Sequence, residues 1–525
     1  MTLSERIQES IQHINNQQTF IQELLINCLN WPIPDDIEEI GDISYEWSSE
    51  DLRAEGLAKR LVDGSVYQIR TEEAEQKWGI FLLEFKNEDV FIKNRGLTGS
   101  LRKVLRGVIK SRAGNPDLPY WDRSNLLFIC TDRNYKHYRF AYFKEPEEKQ
   151  KAAPLSLFGW NLGDSSLHTL CQYNLPALLW TDDPNQAKWH DAFSIEKVTK
   201  TFFDEIALLF TDLVGGTRGK GRNIYNGKNL LKLPDKQSDT VRKEFAVRLI
   251  GRLIFCWFLK KKTSKADIPL VPDEILSLKA MDKITGIGGY YHSVLEPLFF
   301  ELLNTPAEER KKEYKKQPWS FIPFLNGGLF TPHEDDFYDL SDIGTSMHIN
   351  TLKVPDEWIR ELFEVFEKYN FTIDENTPVD VEMAIEPEML GRIFENLLAE
   401  INPETGETAR KATGSYYTPR PIVEYMVDES LKQYLGNKTG IAELKITELL
   451  SYRDQDGSRF TEKQKKSLVE ALHSVKIIDP ACGSGAFPMG ILQKILLILQ
   501  KLDPDSKIWL RRCLPISLIP CIEKN

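Results

Sequence analysis

VKIIDPACGSGAFPMGILQKILLIL, from Val475 to Leu499, is the stretch that decides how this chain is read. A short β-branched run ends on Asp479, Gly483 and Gly485 flank a serine, and a long apolar segment follows. Strand, glycine turn and helix in that order make the ligand cradle of α/β folds, where ligands sit beyond the carboxyl ends of buried parallel strands. The details select among ligands. A dinucleotide loop of the G-x-G-x-x-G kind needs glycine at position 488, where Pro488 stands. The chain's other glycine loop, VGGTRGKGR, has Val214 in place of the first P-loop glycine and Gly221 where a Ser or Thr would hold magnesium. Neither NAD, FAD nor ATP is indicated.

Working outward, 525 residues are too many for one ordinary core and predict several domains. With 41% hydrophobic and 28% charged residues the chain reads as globular. Its polar start, MTLSERIQES, is unlike a signal peptide, and no apolar run reaches membrane-spanning length, so no membrane partner and a cytoplasmic location are expected. Seven scattered cysteines without a C-x-x-C pair predict free thiols rather than disulfides or a zinc ribbon.

The net charge of −11 argues, as an average, against nucleic acid. Locally the balance reverses. Lys93 to Arg112 (KNRGLTGSLRKVLRGVIKSR) holds seven basic residues and no acid, with Arg102, Arg106 and Lys110 spaced along one helical face. Leu101, Val104, Leu105, Val108 and Ile109 supply an opposite, buried face. The stripe predicts a DNA-binding surface, with an ordinary solvated helix as the plain alternative.

Three parts follow along the chain. From about 40 to 145, strand-like runs (VYQIR, WGIFLLEF, NLLFICTD, YRFAYF) mix with helical segments. From about 185 to 400 helical periodicity dominates, as in KEFAVRLIGRLIFCWFLKKK and EWIRELFEVFEKYN, and a third part holding the opening motif begins near 405.

Over all nine positions from Asp479 to Phe487, DPACGSGAF resembles the first motif of adenine-specific DNA methyltransferases, which bind S-adenosylmethionine. The resemblance implies that Ala481, Cys482, Gly483 and Gly485 let the backbone approach the methionine part of the cofactor. It also implies that Asp479 meets the ammonium end and that Phe487 is the motif phenylalanine. A turn needing glycine only for its dihedrals is the plain structural alternative. Upstream, RKATGSYYTPRPIVEYMVDESL (Arg410 to Leu431) is similar to the cofactor-binding motif preceding the glycine motif in that family, which implies Tyr417, Thr418 and Pro419 at the cofactor. Thr and Pro at a helix mouth are apt, because exposed amides there can receive a carboxylate.

IPFLNGGLF (Ile322 to Phe330), YNFTIDENT (Tyr369 to Thr377) and IEPEMLGRIFENLL (Ile385 to Leu398) are similar to segments before the methyltransferase domain of fused type IIG restriction-modification enzymes. Such enzymes often carry an amino-terminal nuclease of the PD-(D/E)xK kind. WGIFLLEFKN fits it: E-x-K on a strand puts Glu84 and Lys86 on one face, with Glu84 as a ligand of Mg2+ and Lys86 near the attacking water. Asp63, Glu73 and Glu75 are candidates for the second carboxylate. A surface Glu-Lys pair on an edge strand is the alternative.

The expected architecture is therefore α/β and α: a nuclease-like α/β domain (1–185), a helical connector (186–404) and an incomplete Rossmann-like methyltransferase domain (405–525). The resemblance implies methyl transfer from S-adenosylmethionine to adenine in double-stranded DNA. Target-base binding in that family uses an N-P-P-[YF] loop. None occurs: Asn115-Pro116-Asp117 and Asn402-Pro403-Glu404 lack the second proline and the aromatic. Only 38 residues follow Phe487, against the roughly 150 that the rest of such a domain takes. A premature end or frameshift is one reading of the tail KIWLRRCLPISLIPCIEKN. The alternatives are a magnesium-dependent endonuclease acting through Glu84 and Lys86, and a non-catalytic DNA-binding remnant.

Overall fold

Strands with nearly unbroken apolar runs are stable only where both faces of a sheet are covered. LLFICTD and GIFLLEF occupy such positions in the computed structural model. The structure describes residues 1–33, 40–48, 61–70, 78–92, 101, 104, 108, 112, 116–122, 126–143, 155–164, 167–181, 186–219, 224–234, 237–264, 268–283, 288–325, 328–338, 348–372, 380–382, 384–385, 389, 391, 418, 420–452, 459–480, 482 and 485–509. The chain forms two compact units, one of residues 1–145 with 155–409, the other of residues 146–154 with 410–525.

The first unit holds a mixed sheet built from β1 (Ser44–Glu46), β2 (Leu61–Ile69), β3 (Gly79–Phe85), β4 (Leu126–Asp132), β5 (His137–Phe143) and β6 (Leu155–Asn161). A small hairpin, β7 (Thr217–Arg218) with β8 (Tyr225–Asn226), stands apart, and β9 (Asp380–Glu382) joins the main sheet beside β6. Neighbours run β1-β2-β3-β4-β5-β6-β9, antiparallel except for the parallel pairs β3/β4 and β6/β9. One face of the sheet presents Ile80, Leu82, Leu127, Ile129, Tyr138, Phe140 and Trp160 to helix α1 (Leu3–His13), Phe20, Leu24 and a tryptophan cluster of Trp31, Trp78 and Trp189. On the other, Phe81 stacks on Phe128 at 5.1 Å and meets Trp121 edge-on at 5.7 Å. Leu101, Val104 and Val108, three of the five positions expected to face inward, are helical and buried.

The helical part of this unit is organised by α2 (Ile195–Val214), α3 (Asp239–Lys261) and α4 (Asp356–Lys368). Ser238 caps α3 by accepting from Val241 N at 3.3 Å, and from Phe245 to Leu259 nearly every residue of α3 is buried, as in a central helix. Trp358 of α4 donates its indole N–H to Leu209 O at 2.8 Å and is buried with Phe202, Trp257 and Phe366. Within the same helical part, the chain winds as π-type turns over Tyr291–Leu295 and Pro297–Leu303.

Within this core His292 points Nδ1 at Glu296 Oε2 (2.7 Å) and Nε2 at Leu352 O (2.8 Å). The Leu352 carbonyl can only accept, so Nε2 carries a proton, and facing an ionised Glu296 the other nitrogen donates as well, which is the imidazolium form. Burial pushes the His292 pKa down, but the Glu296 hydrogen bond and charge, with the Leu352 carbonyl, push it further up, and the net direction is upward. Because the folded value exceeds the unfolded one, the stabilisation is complete below about pH 6.5 and is lost as pH rises through the raised value. The urea midpoint of the wild type should therefore fall between neutral and alkaline pH, and that of His292→Gln should fall less. Parallel pH profiles for the two proteins contradict the assignment.

The second unit contains α5 (Arg420–Thr439), α6 (Glu443–Leu450), α7 (Glu462–Ser474) and α8 (Ala486–Leu502). Val423, Val427, Leu431 and Leu435 place one apolar stripe of α5 against Ile446, Leu468, Leu472 and Ile498. Val475 to Asp479 was expected to be a buried parallel strand. The structure corrects this: the segment has no strand pairing, Ile477 is 47% exposed and Ile478 is 89% exposed. A strand exists only through neighbours that take up its N–H and C=O groups, and among the described residues this unit contains no other strand. Among the described residues no helix is long and apolar enough to cross a membrane. Cys28, Cys130, Cys171, Cys256 and Cys482 are free thiols.

Candidate functional sites

The E-x-K pair stands at the carboxyl end of the sheet's central parallel pair. Glu84 and Phe85 close β3 and lie in register with Thr131 and Asp132 of β4. Lys86 follows immediately outside the strand and is exposed. On the other side of β3 the register with β2 shifts, from Leu61 opposite Phe85 to Val66 opposite Leu83. Four residues of β2, among them Asp63, therefore span the single position Glu84. Such bulges re-aim side chains and recur beside active sites. This places Asp63 at the Glu84 end of the sheet, while its side chain lies outside what is described. Glu73 and Glu75 fall outside the described residues.

Glu84 is held in place. Gln17 Nε2 donates to Glu84 Oε1 at 3.1 Å, and the Tyr135 hydroxyl donates a short hydrogen bond to the same oxygen. Tyr135 sits in the β4–β5 turn with φ 55° and is 6% exposed. Burial first, and the Glu84 charge second, push its phenol pKa up, so it stays a donor. The turn is fixed by Asp132, whose carboxylate accepts from the backbone N–H groups of Asn134 (2.9 Å), Lys136 (2.9 Å) and His137 (2.7 Å). Neither Gln17 nor Tyr135 was legible in the sequence, since each reaches Glu84 only through the fold.

The Glu84 carboxylate at the strand end, next to Lys86 in sequence, offers a hard oxygen ligand of the kind that suits Mg2+. Among the described residues no three His, Cys, Asp or Glu side chains are grouped as a metal site, a set that does not include the side chain of Asp63. The basic stripe of Arg102, Arg106 and Lys110 also lies outside the described residues. Arg112, at the end of the same run, has its guanidinium over the rings of Tyr120 (4.5 Å) and Trp121 (4.1 Å).

In the second unit the two motif segments lead into neighbouring helices. Gly485 adopts φ 85° at the start of α8, a conformation that favours glycine, and a Cβ there would meet nothing within 4 Å. Gly485 N donates to Cys482 O at 2.8 Å, Cys482 is exposed, and Phe487 packs at the edge of the helical core. Asp479 is half-buried. Thr418 lies just before α5; Tyr417, Pro419, Ala481 and Gly483 fall outside the described residues. At Gly490 a Cβ would come within 2.8 Å of Val423 Cγ1, so only glycine lets α8 approach α5 this closely. Gly490 and Val423 are each five residues beyond their motif residue, a helical rise of roughly 7 Å. The contact therefore holds the start of one motif helix near the start of the other.

Buried lysines brace this arrangement. Lys494 reaches Asp428 at 2.9 Å, Glu424 at 3.4 Å and Leu450 O at 3.1 Å, while Lys501 donates to Leu449 O at 2.7 Å and to Ser451 O. Together they satisfy the carbonyls that the end of α6 leaves without helical partners. Burial raises the pKa values of Glu424 and Asp428, and Lys494 opposes the rise.

The geometry thus defines an α/β unit with acidic and basic groups at a strand end, and a helical unit in which the two helices that follow the motif segments pack against each other. Over 335 residues the chain is 31% identical to a protein of Methanocaldococcus jannaschii named "Putative type II restriction enzyme and methyltransferase". The match covers 58% of this chain and 26% of that protein, so the chain spans about a quarter of the relative's length. No family model and no solved structure matches the chain.

Proposed function

We propose that this chain is part of a restriction-modification enzyme of the fused type. In this reading 1–185 is a magnesium-dependent DNA nuclease domain, 186–404 a helical connector, and 405–525 the S-adenosylmethionine-binding start of an adenine-specific DNA methyltransferase. The observation that carries it is the pairing of the two helices that follow the motifs, at Gly490 and Val423, two positions 67 residues apart in the sequence (490 − 423). The relative's name supports the same class. Thr418, Asp479, Cys482 and Gly485, with Tyr417, Pro419, Ala481, Gly483 and Phe487, hold the cofactor, which when bound supplies an activated methyl group. Asp63 and Glu84 hold Mg2+, which supplies charge neutralisation for phosphodiester hydrolysis, and Lys86 orients the attacking water.

DNA contact is tested separately. If Arg102, Arg106 and Lys110 face phosphates, changing all three to Ala should weaken duplex binding at low salt and reduce the salt slope by roughly three units, with little change in sequence preference. An unchanged slope makes the stripe a solvated face. Because no N-P-P-[YF] loop is present, the 525-residue chain alone should transfer no methyl group to mixed genomic DNA. Stoichiometric label on adenine from labelled cofactor contradicts that.

A further inference from the structure

Resting on the nuclease reading, we propose that Tyr135 and Gln17 are positioning residues that fix the Glu84 carboxylate for the metal. Three observations lead there. Both donors converge on one oxygen, Glu84 Oε1, which sets the plane of the carboxylate and hence the direction of its other oxygen. Their carriers are independent: Gln17 follows directly on Asn16, whose side chain accepts from Thr19 N at 2.8 Å, whereas Tyr135 comes from the β4–β5 turn. Both carriers are themselves fixed. The turn is locked by three backbone donors to Asp132, with Tyr135 N also bonded to Asp132 O at 2.9 Å, and the Tyr135 ring lies 6.3 Å from that of Tyr138 in the core.

A strand-end glutamate serving only as a surface group needs no such arrangement, since water satisfies it. A metal ligand does, because its orientation sets affinity. Partners of this kind, which touch the ligand and not the metal, typically contribute 10- to 100-fold in metal affinity or activity. Tyr135→Phe removes one donor while keeping the buried ring, and Gln17→Leu removes the other at a half-buried position where the core is not disturbed.

The test uses the full chain and Mn2+ alone, followed by paramagnetic resonance of the free ion, with nicking of supercoiled DNA measured across Mg2+ concentration. Tyr135→Phe and Gln17→Leu should each weaken Mn2+ binding about 10-fold or more. Nicking by both should recover at high Mg2+, which a merely structural defect would not permit, and their DNA affinity should stay at the wild-type level. If Glu84→Gln abolishes Mn2+ binding while both variants bind it as the wild type does, the positioning role is overturned and the nuclease reading stands. If the wild-type chain binds no Mn2+ through Glu84 and cuts no DNA, the nuclease reading fails and the proposal fails with it.

Discussion

Lys86→Ala is expected to reduce magnesium-dependent nicking by about 100- to 1000-fold while leaving DNA binding nearly intact. The size follows from the role. A group that orients and activates the attacking water contributes about 10²- to 10³-fold in rate, and each ~1.4 kcal/mol of transition-state stabilisation is a factor of ten. The selectivity follows from position: Lys86 is one cation at the carboxyl end of β3, whereas seven basic residues lie between Lys93 and Arg112. Losing one phosphate contact changes the salt slope by only about one unit. Glu84→Gln should behave alike, because it removes the charge that would hold the metal but keeps an acceptor for Tyr135 and Gln17. Steady-state nicking and filter binding on the same preparations separate the two effects. A Lys86→Ala protein that cuts as the wild type does makes E-x-K an ordinary strand-surface pair.

The second large effect is on stability. Arg252→Ala should destabilise the first unit by about 3–5 kcal/mol, the typical cost of leaving a buried charge without its partner. Asp336 is fully buried and accepts from Arg252 Nη2 at 2.7 Å and from Arg248 Nε at 3.0 Å. Arg252 Nε also donates to Leu329 O at 2.8 Å, which ties Leu329 and Phe330 to the centre of α3. Burial raises the Asp336 pKa, but the Arg252 hydrogen bond and charge lower it more, so the acid stays ionised. Calorimetry should show the melting point of Arg252→Ala lowered by roughly 5 °C. Arg248→Ala should cost less, because Arg248 is 22% exposed and water can replace it. Equal melting points for wild type and Arg252→Ala contradict this account.

Strong period and composition made the first unit legible. GIFLLEF and LLFICTD read as strands because aromatic and β-branched runs with no helical spacing fit only a covered sheet, and Asp356–Lys368 read as helix because its apolar residues recur every three or four positions. Glu84 and Lys86 were legible as a pair, since two-residue spacing is a local property. What surrounds them was not. Gln17 lies 67 positions from Glu84 and Tyr135 lies 51 away, and no local pattern marks either. The register shift between Leu61 and Val66, the stretch of β2 that contains Asp63, likewise depends on strand pairing. In the second unit the helices and the glycine turn were legible, but VKII was not a strand, because a strand depends on partners that local sequence does not contain. The Lys494 cluster was hidden for a related reason. A lysine inside ILQKILLIL reads as a helix's polar face until the fold buries it against Glu424 and Asp428.

The claim at the centre of this account is that the two motifs form one cofactor site, and equilibrium dialysis of the full chain with labelled S-adenosylmethionine tests it most directly. The account predicts saturable binding of one equivalent, lost in Gly485→Val, which cannot comfortably adopt φ 85°, and weakened in Asp479→Ala. The melting point of Gly490→Ala should fall as its Cβ pushes Val423 away, with binding weakened in parallel because the two motif starts are separated. No saturable binding by the wild-type chain, or binding unchanged in Gly485→Val and Asp479→Ala, contradicts it.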